Sequence, residues 1–479
     1  MSLAPAVGPG RWVGRGLILF ALAFTNLNDI WSPDVLPNAL FAWTVIKEHN
    51  VDYDEFVFRP DQPSVPGKLD SEAYFFRACG ASTATAPPKA PRSAGGPPAP
   101  GPKDHVCSVF PPGMALVALP FFAPFALAGF DALDLGLLIR MGHVVGALVE
   151  VATTLVLWGL LRRFVGPRWS LVLVLLYFLG TSVRTIASQA LWQHSGVHLA
   201  VAGALALVLR EEPVSLGREL IAGIALGLGT VVRQTTALVA LGIGGLRPAR
   251  LVIGLIGAAV GALPLLAYNS VAFGSPLEQG YGTKPFDTPI AQGLYGLLLS
   301  PSRGLFIYTP YAIFALVALG GAWRWPGEVA RRLRALSLVW VATVVLYATY
   351  AEWWGGRVFG SRFLDDLAPL LFAALAWGIG VGMLRSRIAR LLFGLMAAWS
   401  LVLFNAAALV YDQSWDTMPI NVNVDPSKLF SWADPQWLAV LRMLPDGGPK
   451  VAAAGVLSLL LIVLLVRIEL RGVGDSVAA

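Results

Sequence analysis

Apolar residues gather in twelve long runs, at about 12–28, 141–161, 169–186, 195–210, 219–232, 234–247, 251–270, 304–323, 335–351, 363–384, 391–411 and 450–467. A helix needs roughly 17–25 mostly apolar residues to cross a hydrocarbon layer about 30 Å thick. Backbone groups in hydrocarbon must be satisfied within the segment, so each run predicts a transmembrane helix. The fifth and sixth runs are short and meet at Arg233-Gln234-Thr235, a pattern that also fits a hairpin that does not fully cross. A thirteenth apolar stretch, 113–131, is interrupted by Pro120 and Pro124. Counting it as a span would invert the sidedness of everything after it.

Charge decides between the two topologies. With 113–131 lying in the interface, one set of short connections collects 18 arginines, among them Arg11, Arg15, Arg162, Arg250, Arg332 and Arg467, against six acids: Glu211, Glu212, Glu219, Glu328, Glu469 and Asp475. An excess of positive charge in short loops marks the cytoplasmic side. The expected topology therefore has both termini in the cytoplasm and four long segments outside, at about 29–112, 271–303, 352–362 and 412–449. Arg11 and Arg15 followed by Gly16–Leu22 also imitate a signal peptide. Eleven further spans, and a long loop that the first helix must hold, favour its retention.

Composition supports the membrane reading. The 479 residues are 56% hydrophobic and 13% charged, where soluble domains average about 25% charged. Mean hydropathy is +0.66 and the pI about 9.4. That excludes a cytosolic enzyme, a disordered scaffold and a disulfide mini-protein. The net charge of +6 sits at membrane edges and not on one groove-facing surface, which excludes a nucleic-acid reader. No glycine-rich phosphate loop follows a strand, so no nucleotide is expected as a partner. Chemistry is expected outside, beyond the direct reach of ATP or nucleotide sugars. The preponderance of Arg over Lys, with abundant Ala, suggests a GC-rich bacterial genome and a bacterial inner membrane.

The two cysteines, Cys79 and Cys107, both fall in the first outer loop. Between them runs a Pro/Gly/Ala-rich insert, 79–107, expected to be disordered because it cannot form a packed core. An oxidising compartment favours a disulfide between them over two free thiols. The five histidines show no zinc spacing.

Four outer stretches combine residues able to do chemistry. The first is TNLNDIWSPDVLPNALFAW, where Asp29 and Asp34 stand at the membrane surface. Pro37 suits the first turn of a helix; Leu40, Phe41, Val45 and Ile46 would give it an interfacial apolar stripe. A carboxylate there is placed to act as a base on a lipid-linked substrate, or else simply to favour the helix N-terminus electrostatically. Asp52, Asp54 and Glu55 read as a solvated loop. The second stretch holds Tyr281, Lys284 and Arg303, and the third, YAEWWGGRVFGSRFLDDLAP, holds Glu352, Trp353, Trp354, Arg357 and Arg362. Arginines at an outer edge can fork onto phosphate oxygens, and paired Trp rings offer faces to a sugar or a prenyl chain, although Trp is enriched in interfacial belts anyway. The fourth, TSVRTIASQALWQHSGVH, places Arg184, Gln189, Trp192, Gln193, His194 and His198 at one outer turn.

The order of these features resembles the GT-C superfamily of integral-membrane glycosyltransferases: one span, a long outer loop opening with an Asp, an interfacial helix, then LWQH, FGSP…GY, SPSRGL and WWGG…GSRFL…P. The match covers about residues 12 to 411 and lies nearest the bacterial polyprenyl-phosphate-dependent mannosyl- and arabinosyl-transferases. The resemblance implies an all-α GT-C-like bundle of about 12 transmembrane helices, in a single domain spanning 1–479 with no separate soluble domain. It implies transfer of a hexosyl or pentosyl unit from a polyprenyl phosphate carrier to a glycan, lipid or protein acceptor, with inversion, for envelope assembly. The first-loop base carries over onto Asp34, with Asp29 in reserve. The donor phosphate would fall to Arg362 or Arg303, helped by Arg357 and Lys284. Trp353, Trp354, Glu352, Tyr281, His194 and Gln193 are left as sugar or lipid contacts. Asp29 and Asp34 are not adjacent as in some members, so the expectation is no required cofactor, with a divalent cation (Mg or Mn) left open. Two rival classes are a multispan transporter or flippase, with Glu150 as its intramembrane charge, and a lipid-carrier-dependent polysaccharide ligase or polymerase.

Overall fold

A computed structural model describes residues 9–27, 33–59, 61–64, 67–80, 99–101, 104–282 and 285–478. Each of the twelve apolar runs falls on helix. The chain opens with α1 (Pro9–Ala23), and after the first outer loop come α2 (Leu36–Trp43) and α3 (Gly113–Leu127). There follow α4 (Leu135–Leu161), α5 (Pro167–Leu179), α6 (Gln193–Val208), α7 (Leu216–Val232), α8 (Ala237–Ile243), α9 (Pro248–Gly261) and α10 (Leu263–Phe273). The second half contains α11 (Ile290–Leu299), α12 (Leu305–Tyr308), α13 (Ala312–Gly321), α14 (Glu328–Thr349), α15 (Arg362–Asp365), α16 (Ala368–Gly380), α17 (Arg387–Val410), α18 (Ser414–Thr417), α19 (Gln436–Met443) and α20 (Gly448–Ala478).

Four continuous helical stretches among the described residues are long and apolar enough to cross a membrane: Leu135–Leu161, Pro248–Phe273, Arg387–Val410 and Gln436–Leu470. Several other runs are broken or short. The predicted spans at 304–323 and 363–384 are each split into a short and a longer helix, with Pro310 and Pro369 at the restarts. Proline supplies no N–H for the preceding turn, so a helix restarts there at little cost.

The tightest helix pair is α7 against α9. Gly223 and Gly227 on one face Gly257 and Gly261 on the other, and an added Cβ at Gly223 would stand 2.1 Å from the Gly254 carbonyl oxygen. Backbones in membranes approach closely where small residues recur every fourth position.

Nine of the residues expected on the cytoplasmic side form two largely buried ion clusters. Glu219, fully buried at the start of α7, meets Arg250 at 2.8 Å and Arg332 of α14. Glu328 is ringed by Arg247, Arg331 and Arg332. Arg15 of α1 meets Glu469 of α20, which Arg162 also reaches at 3.3 Å.

At the other end the four long outer segments are bound to each other. In the first loop, β1 (Val57–Phe58) pairs in parallel with β2 (Leu69–Asp70), and β3 (Phe76–Cys79) pairs antiparallel with β4 (His105–Ser108). A disulfide joins Cys79 to Cys107 across that ladder. Most of the Pro/Gly-rich insert, 81–98 and 102–103, lies outside the described residues. Arg77 reaches the second segment, donating to the Gln279 carbonyl at 2.6 Å and pairing with Glu278 at 3.2 Å. The second meets the third where Ala351 N–H donates to Pro285 O at 3.1 Å.

One expectation is corrected here. The helix after Asp34 is not an amphipathic stripe on the bilayer surface, because every residue of α2 is buried. It is clamped beneath α3, Asn38 donating to Leu191 O at 3.1 Å and Tyr53 to Pro37 O at 3.0 Å. Only Val45 and Ile46, past its end, are half-buried. The apolar 113–131 stretch forms the cover: Gly113–Leu127 of it is one helix despite Pro120 and Pro124.

Candidate functional site

Asp34 sits in a 3₁₀ turn, Pro33–Val35, that leads directly into α2. The N-cap position belongs to Val35 and no side chain caps the helix, which leaves the Asp34 carboxylate free to point elsewhere. Its Oδ1 accepts from the Tyr74 hydroxyl, and its Oδ2 faces Arg362 Nη2 at 3.6 Å. Desolvation first, and the Asp34 charge second, hold the Tyr74 phenol well above its usual range, so it remains a donor. Arg357 is exposed and close enough to act on the same phenol.

Arg362, the first residue of α15, is gripped from three directions. Its Nε donates to His194 Nε2 at 2.8 Å, its Nη1 donates to Gly355 O at 3.0 Å, and its guanidinium carbon lies 4.6 Å from the centre of the Trp192 ring. Gly355, at φ +72°, turns its carbonyl into reach in a conformation that side chains resist. His194 is in turn held by Asp366 at 2.6 Å, and Asp366 pairs with Arg233 at 3.2 Å. Arg233 stands at the junction between α7 and the turn before α8 and packs over Phe363, 5.0 Å from the ring centre. Tyr281 donates to Gln193 Oε1 at 3.1 Å, and burial pushes its hydroxyl up to about 12.

Five expected residues thus converge: Asp34, Arg362, His194, Gln193 and Tyr281, with Arg357 at the rim. Two buried donors beside them, Trp192 Nε1 and Gln193 Nε2, have no hydrogen-bond partner among the described residues. Orphaned buried donors are costly and call for a physical reason. A small apolar recess of about 20 Å³, lined by Val35, Leu36, Leu138, Gly142, Ala190 and Leu191, begins at the residue after Asp34.

Other expected residues stand apart. Arg303 is 1% exposed and all five of its N–H donors are engaged. They reach Trp354 O, Ser302 O, Gln436 Oε1, Gly356 O and Asp416 Oδ1, so none is left for a phosphate. The cause is Asp416, a fully buried carboxylate that lies 2.6 Å from Arg303 Nη2. Trp353 is buried against Phe430 and over Gly296, whose missing Cβ makes room for the indole. Trp354 donates to Asn423 at 3.1 Å. Glu352 is half-buried next to Tyr350. Asp29 and Lys284 lie outside the described residues.

Two residues at the centre, Arg233 and Asp366, were not singled out from sequence. The signals existed: Arg233 is a lone charge where two short apolar runs meet, and Asp366 sits in the same GSRFLDDLAP stretch as Arg362. A candidate cation-binding group lies in the first loop, where Asp52, Asp54 and His105 bring ligand atoms within 4.8 Å of one another. Asp54 is already engaged there by Arg59 at 2.9 Å, by the Val106 N–H and by His105.

The sequence matches no known family profile and no curated protein. One solved structure that it resembles is ArnT from Cupriavidus metallidurans, crystallised with undecaprenyl phosphate, at 15% identity and a TM-score of 0.46, over 97% of this chain and 77% of that one.

Proposed function

We propose that the chain is a membrane glycosyltransferase that moves a sugar from a polyprenyl-phosphate carrier to an acceptor hydroxyl on the outer side of a bacterial inner membrane. The observation that carries this reading is a carboxylate and a guanidinium, Asp34 and Arg362, held face to face at 3.6 Å by independent supports. In the reaction Asp34 accepts the proton of the acceptor hydroxyl while the oxygen attacks the anomeric carbon. The carbon–phosphate oxygen bond breaks, and the lipid phosphate leaves as an anion. Arg362 receives that charge, with Trp192 Nε1 and Gln193 Nε2 as further donors. Preorganised donors of this kind contribute a few kcal/mol each in a dry site. Arg362 supplies positive charge of the kind that a divalent cation would otherwise bring, so a chelator is expected to leave the rate unchanged.

One base and no covalent intermediate mean inversion. The test is the anomeric configuration of the product, read by NMR: inversion is expected, and retention overturns the single-displacement mechanism. A second reading, proton-coupled transport, draws on one observation: Glu150, His198 and Asp365 form a buried cluster inside the bundle, with His198 Nδ1 2.8 Å from Glu150. Intramembrane ionisable groups often mark ion paths. That reading requires substrate-driven proton uptake into proteoliposomes without transfer of any sugar.

A further inference from the structure

Arginine carries five N–H donors and no acceptor, and that fixes the protonation of whatever faces it. Arg362 Nε stands 2.8 Å from His194 Nε2, so Nε2 supplies a lone pair. The imidazole proton therefore sits on Nδ1, 2.6 Å from the Asp366 carboxylate that accepts it. A proton on Nε2 would set N–H against N–H at Arg362, and also at Arg233, whose Nη1 lies 3.5 Å from the same nitrogen. His194 is 1% exposed and Asp366 5%, so water offers neither a substitute partner. Beneath the pair, His198 lies one turn further along α6 and holds the Asp365 carbonyl at 2.9 Å, which fixes the backbone next to Asp366.

We propose that His194 and Asp366 are positioning residues for Arg362. Asp366 fixes the His194 tautomer, and the neutral imidazole then accepts from Arg362 Nε and locks the guanidinium plane. With Nε given to His194 and Nη1 to Gly355 O, Nη2 is the nitrogen left facing Asp34 and the leaving phosphate. Neither positioning residue touches the reacting atoms. The inference rests on the reading of Arg362 as the group that meets the leaving phosphate, and it names what aims that group.

The tautomer makes the proposal separable from a packing role. Asp366→Asn keeps the size, but its amide can donate as well as accept, so the ring can carry its proton on Nε2 and turn a donor toward Arg362. His194→Gln presents an amide oxygen that accepts from Arg362 Nε and has no tautomer to lose. Full-length protein in nanodiscs is assayed with a radiolabelled polyprenyl-phosphate sugar that the wild type consumes. A misaimed group costs about 10²-fold, so D366N and H194A lower kcat by about that factor while KM for the lipid donor changes little. H194Q stays within about tenfold of wild type, and D366N added to H194Q costs little more, a non-additivity expected of residues acting through one another. If the losses multiply, or if H194Q is as impaired as H194A, the proposal is overturned.

A second arm needs no substrate. In protein labelled with 15N-histidine, the signal that disappears in H194Q belongs to His194. It is expected to show a protonated Nδ1 and a bare Nε2 near neutral pH; an Nε2-protonated ring overturns the proposal whatever the transfer rates of the variants. Wild-type protein that transfers sugar from no donor defeats the functional reading, while the resonance still decides the relay.

Discussion

Arg303 and Arg362 lie in similar sequence settings at the ends of helices, yet the structure surrounds them differently, and the difference is measurable. Arg303→Ala removes a guanidinium that is 1% exposed and leaves Asp416, itself fully buried, with only the Tyr411 hydroxyl at 2.6 Å and the Gln436 amide at 2.9–3.0 Å as side-chain donors among the described residues. It also takes the Arg303 donor from the carbonyls of Trp354 and Gly356, and leaves Ser302 O with the Tyr308 hydroxyl at 3.3 Å. Breaking a buried ion pair from one side costs about 3–5 kcal/mol, because the other charge remains buried. The lost carbonyl contacts overlap with that cost and are not added to it. Asp416→Asn, which strands the cation instead, falls in the same range. Removing both charges in Arg303→Ala/Asp416→Asn costs less than the sum of the two by about 2–3 kcal/mol, the coupling expected of residues in contact.

The assay is denaturant unfolding in detergent, followed by Trp fluorescence, together with the transfer rate per folded molecule. Arg303→Ala is expected to be destabilised but to transfer within about threefold of wild type. Arg362→Ala is expected to be less destabilised than Arg303→Ala but to lose about 10²–10³-fold in kcat, the cost of losing one charge-stabilising donor. If Arg303→Ala does not fold, Arg303→Lys, which keeps the charge but loses donors, carries the same comparison at a smaller loss. An Arg303 variant as stable as wild type but catalytically dead would refute the assignment.

Two further outcomes are expected. Gly261→Leu should cost about 1–3 kcal/mol or more from overpacking, since even a Cβ there would lie 2.2 Å from Ile224 O; an unchanged melting curve in detergent would contradict the close α7–α9 contact. Asp52 and Glu55 are both raised above their ordinary carboxylate values, first by burial and then by neighbouring acids. A raised folded value means the folded loop holds those protons more tightly, so their contribution is fully present below the ordinary values of 3.8 and 4.5 and is lost as pH rises through the folded ones. Proteolysis of the first outer loop should therefore be slower near pH 4 than near pH 6, and Asp52→Asn/Glu55→Gln should flatten that difference. A pH-independent rate in the parent protein would contradict it.

Much of this architecture is legible in the apolar pattern, because a bilayer penalises polar backbone so strongly that helical runs stand out individually. The convergence of Asp34, Arg362, His194, Gln193 and Tyr281 was foreshadowed for a similar reason: charged and aromatic groups at outer helix ends are few. Pattern alone did not separate Arg362 from Arg303. Both precede apolar runs, and what distinguishes them is Asp416 and Gln436, more than a hundred positions beyond Arg303 in the chain. The burial of α2 was hidden as well, because its apolar face fits lipid as readily as it fits α3. Arg233 and Asp366 escaped notice because each reads as a helix-end charge until the fold places them 3.2 Å apart.

The central claim is that Asp34 is the base in sugar transfer from a lipid phosphate, and one assay confronts it most directly. Wild type and Asp34→Asn, matched for folding, are offered the same panel of radiolabelled polyprenyl-phosphate sugars in nanodiscs. Release of label from one donor by wild type is expected, with a loss of about 10²–10⁴-fold in Asp34→Asn, the range for a general base. Undiminished transfer by Asp34→Asn would contradict the assignment of the base, and no transfer from any donor by well-folded wild type would contradict the function itself.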